Sequence, residues 1–169
     1  MNLKKALALT FCVFLVVSCF AQGNRGKAEL KAGNGSITID YGRPVLKGRD
    51  MLSQLPVGQF WRMGSNMSTT LATPVDLAFG STNVPKGNYS LWLKRTDAEK
   101  FQLVFNSQTG QWGTQHDASK DAFQAPMKKD ALPGPVETFT LDLKDAPKGG
   151  VIVLTWGTTQ LSAEFQFAQ

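Results

Sequence analysis

Cysteine is almost absent from this chain. Only Cys12 and Cys19 occur, both near the N-terminus. Removal of that segment would leave no intramolecular disulfide and no thiolate metal site, so the remaining domain must be held by its core. Histidine is scarcer still, with His116 alone, and one imidazole makes a histidine metal site a poor expectation. No apolar run approaches the ~20 residues needed to span a bilayer. There is no phosphate loop, no dinucleotide fingerprint and no G-x-S-x-G nucleophile elbow. Basic runs with interleaved aromatics are missing as well, which argues against nucleic acid. No cofactor is implied.

What is present begins with an export signal. Lys4 and Lys5 precede an apolar run from Ala6 to Val17, followed by small residues and Ala21-Gln22. A charged start, a short apolar stretch and a small-residue exit make a secretory signal peptide. Cleavage after Ala21 is the preferred route. Val16-Val17-Ser18-Cys19 also resembles a lipobox, which would make Cys19 a lipidation site and tether the domain to a membrane. The expected organisation is a signal peptide over 1–21, a flexible lead-in over 22–27 and one domain over 28–169. The net charge of the whole sequence is +5. Residues 22–62 hold seven basic and three acidic residues, whereas 63–169 hold nine and ten, so the positive excess is local.

Period-two patterning recurs along the domain. Ile37, Ile39 and Tyr41 share one face, as do Val75, Leu77 and Phe79. The same spacing relates Tyr89, Leu91 and Leu93, then Phe101, Leu103 and Phe105, then Phe139, Leu141 and Leu143. Val151–Trp156 is apolar on both faces, and Leu161, Ala163, Phe165 and Phe167 alternate to the end. Such alternation predicts strands, and one apolar face per strand predicts packed antiparallel sheets. The expected fold is an all-β antiparallel sandwich, jelly-roll-like, with a flattened barrel as the alternative. Gly48–Gln54 fits one helical turn, and residues 107–136 fit the longest loop.

Four segments break the strand pattern: Tyr41-Gly42-Arg43-Pro44 with Lys47-Gly48-Arg49; Phe60-Trp61-Arg62 with Gly64 and Asn66; Val84–Trp92; and Asn106 with Gly110–Thr114. Together with Pro135–Phe139, they resemble a family of bacterial domains of unknown function, numbered 2911. That family shows YGRP followed by KGR, a WR-x-G-x-N element, a P-x-G-x-YSLW hairpin, an N-x-x-x-GQWG stretch and a PVETF strand. The resemblance spans nearly the whole chain after the leader. It implies an exported β-rich domain and no established activity, so it carries over no functional residues.

The residues themselves suggest a ligand face. Arg43, Lys47, Arg49 and Arg62 are suited to a carboxylate or phosphate, which guanidinium groups bind bidentately. Pairing with Asp40 and Asp50, or packing over aromatics, is the structural alternative. Of the tryptophans, Trp92 and Trp156 lie in strands and fit the core, while Trp112, between Gly110 and Gly113, is the best stacking platform. The candidate ligand-binding set is therefore Arg43, Arg49, Arg62, Asn66 and Trp112, with no catalytic or metal residue assigned. His116 beside Asp117 suggests a general base, with Ser107 or Ser119 as nucleophile, but a solvated loop histidine is the preferred reading. The expected protein is a periplasmic or extracellular, non-catalytic module for a small anionic molecule, glycan or envelope protein. Its membrane contact is expected only through a lipid anchor. An envelope polymer hydrolase or lyase and a structural lipoprotein are the alternatives. Mass measurement of envelope-derived protein should show loss of about the first twenty residues, and an intact Met1 would contradict export. Cys19→Ala should leave a secreted form processed after Ala21 but strip a lipoprotein from the membrane fraction.

Overall fold

The computed structural model describes residues 24–168. The expected signal peptide and Cys19 lie outside that range. Ten strands follow one another: β1 (Arg25–Ala32), β2 (Gly35–Gly42), β3 (Phe60–Trp61), β4 (Thr69–Thr73), β5 (Leu77–Phe79), β6 (Thr82–Val84), β7 (Gly87–Arg95), β8 (Phe101–Asn106), β9 (Asp121–Ala146) and β10 (Gly149–Phe167). They form one sheet in the order β1-β2-β4-β7-β8-β9-β10-β5-β6, with β3 paired to β7. Every pairing is antiparallel. The all-β antiparallel expectation holds. The sheet is continuous and folds over on itself, and it is not closed into the barrel held as the alternative.

The fold-over is built into β9. From Thr155 to Thr159, β10 advances four residues, while β9 covers nine, from Thr140 back to Ala131. Pro133, Gly134 and Pro135 occupy that excess. Proline offers no N–H to a ladder, so such residues belong at bulges and edges. A bulge bends its strand and increases local twist. The first part of β9 therefore pairs with β8, whereas its last part has β10 as its strand partner. The two halves of the sheet are brought face to face across the core.

Alternation fills that core as the sequence predicts. Ile37, Ile39, Leu71, Leu91, Leu93, Leu103 and Phe105 from one half meet Phe139, Ile152, Leu154, Leu161 and Phe165 from the other, and all are buried. Aromatic contacts cross between the layers: Tyr41 edge-on to Phe139 at 5.7 Å, Trp61 stacked on Trp156 at 5.2 Å, and Phe79 against Phe105 at 5.2 Å. The bulged stretch is strapped down by the loop after β2, through Leu46 N–H to the Glu137 carbonyl (2.9 Å) and Phe139 N–H to the Pro44 carbonyl (2.9 Å). Arg95 holds the β2–β3 connection. Its guanidinium donates to the carbonyls of Ser53, Leu55, Asp97 and Ala98.

Several boundaries differ from expectation. The lead-in over 22–27 is already strand from Arg25 onward, because Arg25, Gly26 and Lys27 pair with Gly42, Tyr41 and Asp40. β4 shows little apolar content but is central, and its Thr69 and Thr73 are buried. The long loop expected over 107–136 ends at Lys120, and β9 begins at Asp121. Residues 51–54 form turns and no helix. Phe139 touches Tyr41, Trp61 and Trp156 and has no exposed surface. Phe139→Ala is expected to cost ~3–5 kcal/mol in urea unfolding. An unchanged midpoint would contradict this packing. No cysteine lies among the described residues, so reductant should leave the midpoint unmoved.

Candidate functional site

The outer face of the β2-β4-β7-β8 layer carries the polar half of each strand. Register places Thr38 opposite Ala72 and Asp40 opposite Thr70. It also places Thr70 opposite Ser90, Ala72 opposite Asn88, and Ser90 opposite Asn106. Part of this face is roofed by the segment between β8 and β9. The anchor of the roof is Asn106, which is fully buried. Its amide donates to the Asp117 carbonyl and to Asp121 Oδ1, each at 2.8 Å, and its carbonyl oxygen accepts from Gln108 N–H at 2.9 Å. Buried amides are costly unless bonded, so these contacts fix where the roof starts and ends.

A second anchor is Gln111, buried beneath the roof. Its amide donates to Ser90 Oγ at 3.0 Å, where the Trp92 indole N–H also donates at 3.0 Å. The main chain then runs antiparallel to the residues leading into β4. Ser68 N–H donates to the Gln111 carbonyl (3.0 Å), and Gly113 N–H donates to the Asn66 carbonyl (2.8 Å). Met67 and Trp112 face one another as bridge partners, which sets their side chains side by side. Both are exposed, Met67 at 36% and Trp112 at 46%.

The loop at 62–67 is tightly determined. Met63 and Asn66 have φ of 47° and 63°, unusual for residues with a side chain. Such geometry costs free energy and persists only where surroundings enforce it. Thr69 Oγ donates to the Met63 carbonyl at 2.6 Å, and Arg62 Nε donates to the Gly64 carbonyl at 3.2 Å. Two close approaches need glycine. A Cβ on Gly42 would lie 2.2 Å from the Ser65 carbonyl oxygen, and one on Gly113 would lie 2.7 Å from the Asn66 oxygen and 2.4 Å from Arg62 Cδ. Arg62, Asn66 and Trp112 are thereby brought together around Gly113.

Arg43 and Arg49 take other positions. Arg43 donates its backbone N–H to Asn24, and its side chain runs beside Gly26 and the Tyr41 ring. Its Nε is buried without an acceptor. Arg49 is exposed in the loop after β2, with its N–H bonded to the Leu46 carbonyl. Among the described residues, no hydrogen bond or ion pair joins either arginine to Arg62, Asn66 or Trp112. Asp40 pairs with Arg25 instead, and Asp50 accepts from Ser53 N–H. Trp61, Trp92 and Trp156 are packed, Trp92 beneath the roof and the other two against Phe139.

His116 is not the solvated loop residue expected. Its side chain is 15% exposed and lies between the rings of Trp92 and Phe60, with both centroids 4.4 Å away. Nε2 is 2.9 Å from Asp121 Oδ1, the oxygen that also accepts from Asn106. Neither serine of the hydrolase reading points to it. The Ser119 hydroxyl donates to Asp117 at 2.6 Å, and the Ser107 hydroxyl donates to the Lys120 carbonyl at 3.2 Å. Hydroxyl and amide donation from Ser119 hold the Asp117 carboxyl below the usual carboxylate range. These groups close the roof onto the sheet. Among the described residues there is no cluster of three or more His, Cys, Asp or Glu able to hold a metal ion.

Sequence reading singled out Asn106 as part of a motif but gave it no role, and it missed Gln111 as an anchor. Asn106 is a polar residue at a strand end, which alternation alone reads as solvent-facing, and Gln111 lies in a connection without periodicity. Asn106→Ala is expected to cost ~1–3 kcal/mol, because buried groups on Asp121 and the backbone lose their partner. Amide exchange should quicken across 107–117 while the β9–β10 ladder stays protected. Uniform protection in the variant would contradict the anchoring role.

A search of curated proteins and a search of solved structures both return no match. A family model described as a protein of unknown function (DUF2911) matches residues 24–165, and the chain belongs to that family.

Proposed function

We propose that this chain is an exported, non-catalytic binding domain that recognises a glycan of the cell envelope through the exposed face of Trp112. The observation that carries this reading is a large aromatic left 46% exposed on a segment pinned from both sides. Tryptophan presents wide apolar area with few rotatable bonds, which makes it a frequent energetic anchor in recognition. Here Met67 extends the apolar surface, and the Arg62 side chain lies against the adjoining Gly113. A sugar ring has an apolar C–H face and a rim of hydroxyls, and it matches a flat indole bordered by hydrogen-bonding side chains. The anionic-ligand reading draws less support, since among the described residues no hydrogen bond or ion pair joins Arg43 or Arg49 to Arg62, Asn66 or Trp112. The hydrolase reading is weakened by the other commitments of Ser107, Ser119 and His116. Export rests on Lys4-Lys5 and the apolar run after them.

A glycan array probed with the purified protein tests the reading. Binding to at least one envelope-type saccharide is expected, and Trp112→Ala should remove on the order of 2 kcal/mol or more of that affinity. Trp112→Tyr should retain part of it, and neither change should lower the unfolding midpoint. A silent array, or equal binding by Trp112→Ala, would refute the platform. A silent array with Cys19-dependent membrane retention would favour the structural lipoprotein.

A further inference from the structure

Next to the roof, the outer surface of β2, β4 and β7 is bare and forms a groove of about 270 Å³. Thr38, Asp40, Thr70, Asn88, Thr109 and Gly110 line it. Its floor is set by register: Thr38 beside Ala72 beside Asn88 makes one row, and Asp40 beside Thr70 makes the next. Gln111 covers Ser90 at the end of the Asp40–Thr70 row, and Ser65 packs on Gly42 in the row beyond. Thr109 and Gly110 of the roof form the wall. We infer that this groove is a binding subsite for one unit of a neutral, hydroxyl-rich saccharide.

Three observations select that ligand class. The first is charge. Asp40 is the one formally charged residue in the lining, and Arg25 balances it. Both Arg25 contacts fall on Oδ1, and the Asp40 side chain is 52% exposed. Among the described residues, Oδ2 is thus left to accept from a ligand hydroxyl, whereas an anion would meet a carboxylate whose cross-strand neighbour, Lys27, is paired with Glu29. The second is the donor and acceptor set. Three threonine hydroxyls and the exposed Asn88 amide both donate and accept, as a polyol requires. The third is topology. β4 is paired on both sides, to β2 and to β7. No strand edge opens into the groove, so an extended peptide would gain none of the ladder bonds that drive strand addition. The volume lies just below the ~300–1,000 Å³ of drug-sized pockets, which suits a single ring.

Chain continuity places this groove beside the Trp112 platform: Thr70 is three residues beyond Met67, and Gly110 is two before Trp112. The inference deepens the glycan reading, but it stands on different side chains. Amide NMR titration with cellotetraose, maltotetraose and chitotetraose separates the two, with tetragalacturonate as the acidic comparison. At least one neutral probe should shift Thr38, Thr70, Asn88, Thr109 and Gly110. Asn88→Ala and Thr70→Val should each weaken that binding by about tenfold, as for loss of a ligand hydrogen bond, with no change in unfolding midpoint. Groove shifts that persist in Trp112→Ala would support the subsite and count against the platform. Shifts confined to Met67 and Gly113 would keep the platform and overturn the subsite. Silence with all three neutral probes, or tighter binding of tetragalacturonate, would also overturn it.

Discussion

The outer face of this domain depends on one buried amide. Asn106 has no exposed surface, and its side chain holds Asp117, Asp121 and Gln108 at once. A polar group in that position must be bonded or it destabilises the fold. Its bonds are what oblige residues 107–117 to lie back across the sheet. From that follow the burial of His116 between Trp92 and Phe60, the seating of Gln111 on Ser90, and the pairing of Trp112 with Met67. The wall of the groove, Thr109 and Gly110, is part of the same segment. Gln111 on Ser90 and the main-chain bonds of Gln111 and Gly113 to residues 66–68 then hold the middle of the segment.

Much of the architecture was legible because the alternation is strict. Ile37–Tyr41, Tyr89–Leu93, Phe101–Phe105 and Phe139–Leu143 all lie in strands with the faces expected, since a one-residue slip would expose the whole apolar set. What escaped had weaker patterning for stated reasons. β4, Thr69–Thr73, is central but threonine-rich, and its buried hydroxyls bond to carbonyls, as Thr69 does to Met63. β1 reads as a lead-in because Arg25, Gly26 and Lys27 carry no apolar signal, yet backbone pairing to β2 orders them. The corner in β9 looked like loop because Pro133, Gly134 and Pro135 interrupt a strand that resumes on the other layer.

The candidate site was legible in part. Arg62, Asn66 and Trp112 lie on segments that glycine and positive-φ geometry bring together, and those segments stood out as breaks in alternation. Arg43 and Arg49 stood out for the same reason but serve the margin of the core and an exposed loop. The groove was invisible in sequence, because Thr38, Asp40, Thr70 and Asn88 look like ordinary solvent-facing positions until register sets them side by side. His116 illustrates the opposite error: a lone histidine in a segment without periodicity reads as a solvated loop residue, and the geometry packs it between Phe60 and Trp92.

Taken as a surface, the domain presents the exposed Met67–Trp112 pair and a polar groove, with Ser107, Ser119 and His116 bonded within the roof. The most direct measurement is a crystal structure of the protein grown with a neutral tetrasaccharide. The account predicts sugar density with one ring over the Trp112 indole and another within hydrogen-bonding reach of Asp40 and Asn88. Density elsewhere on the molecule, or an unoccupied face at saturating saccharide, would contradict it.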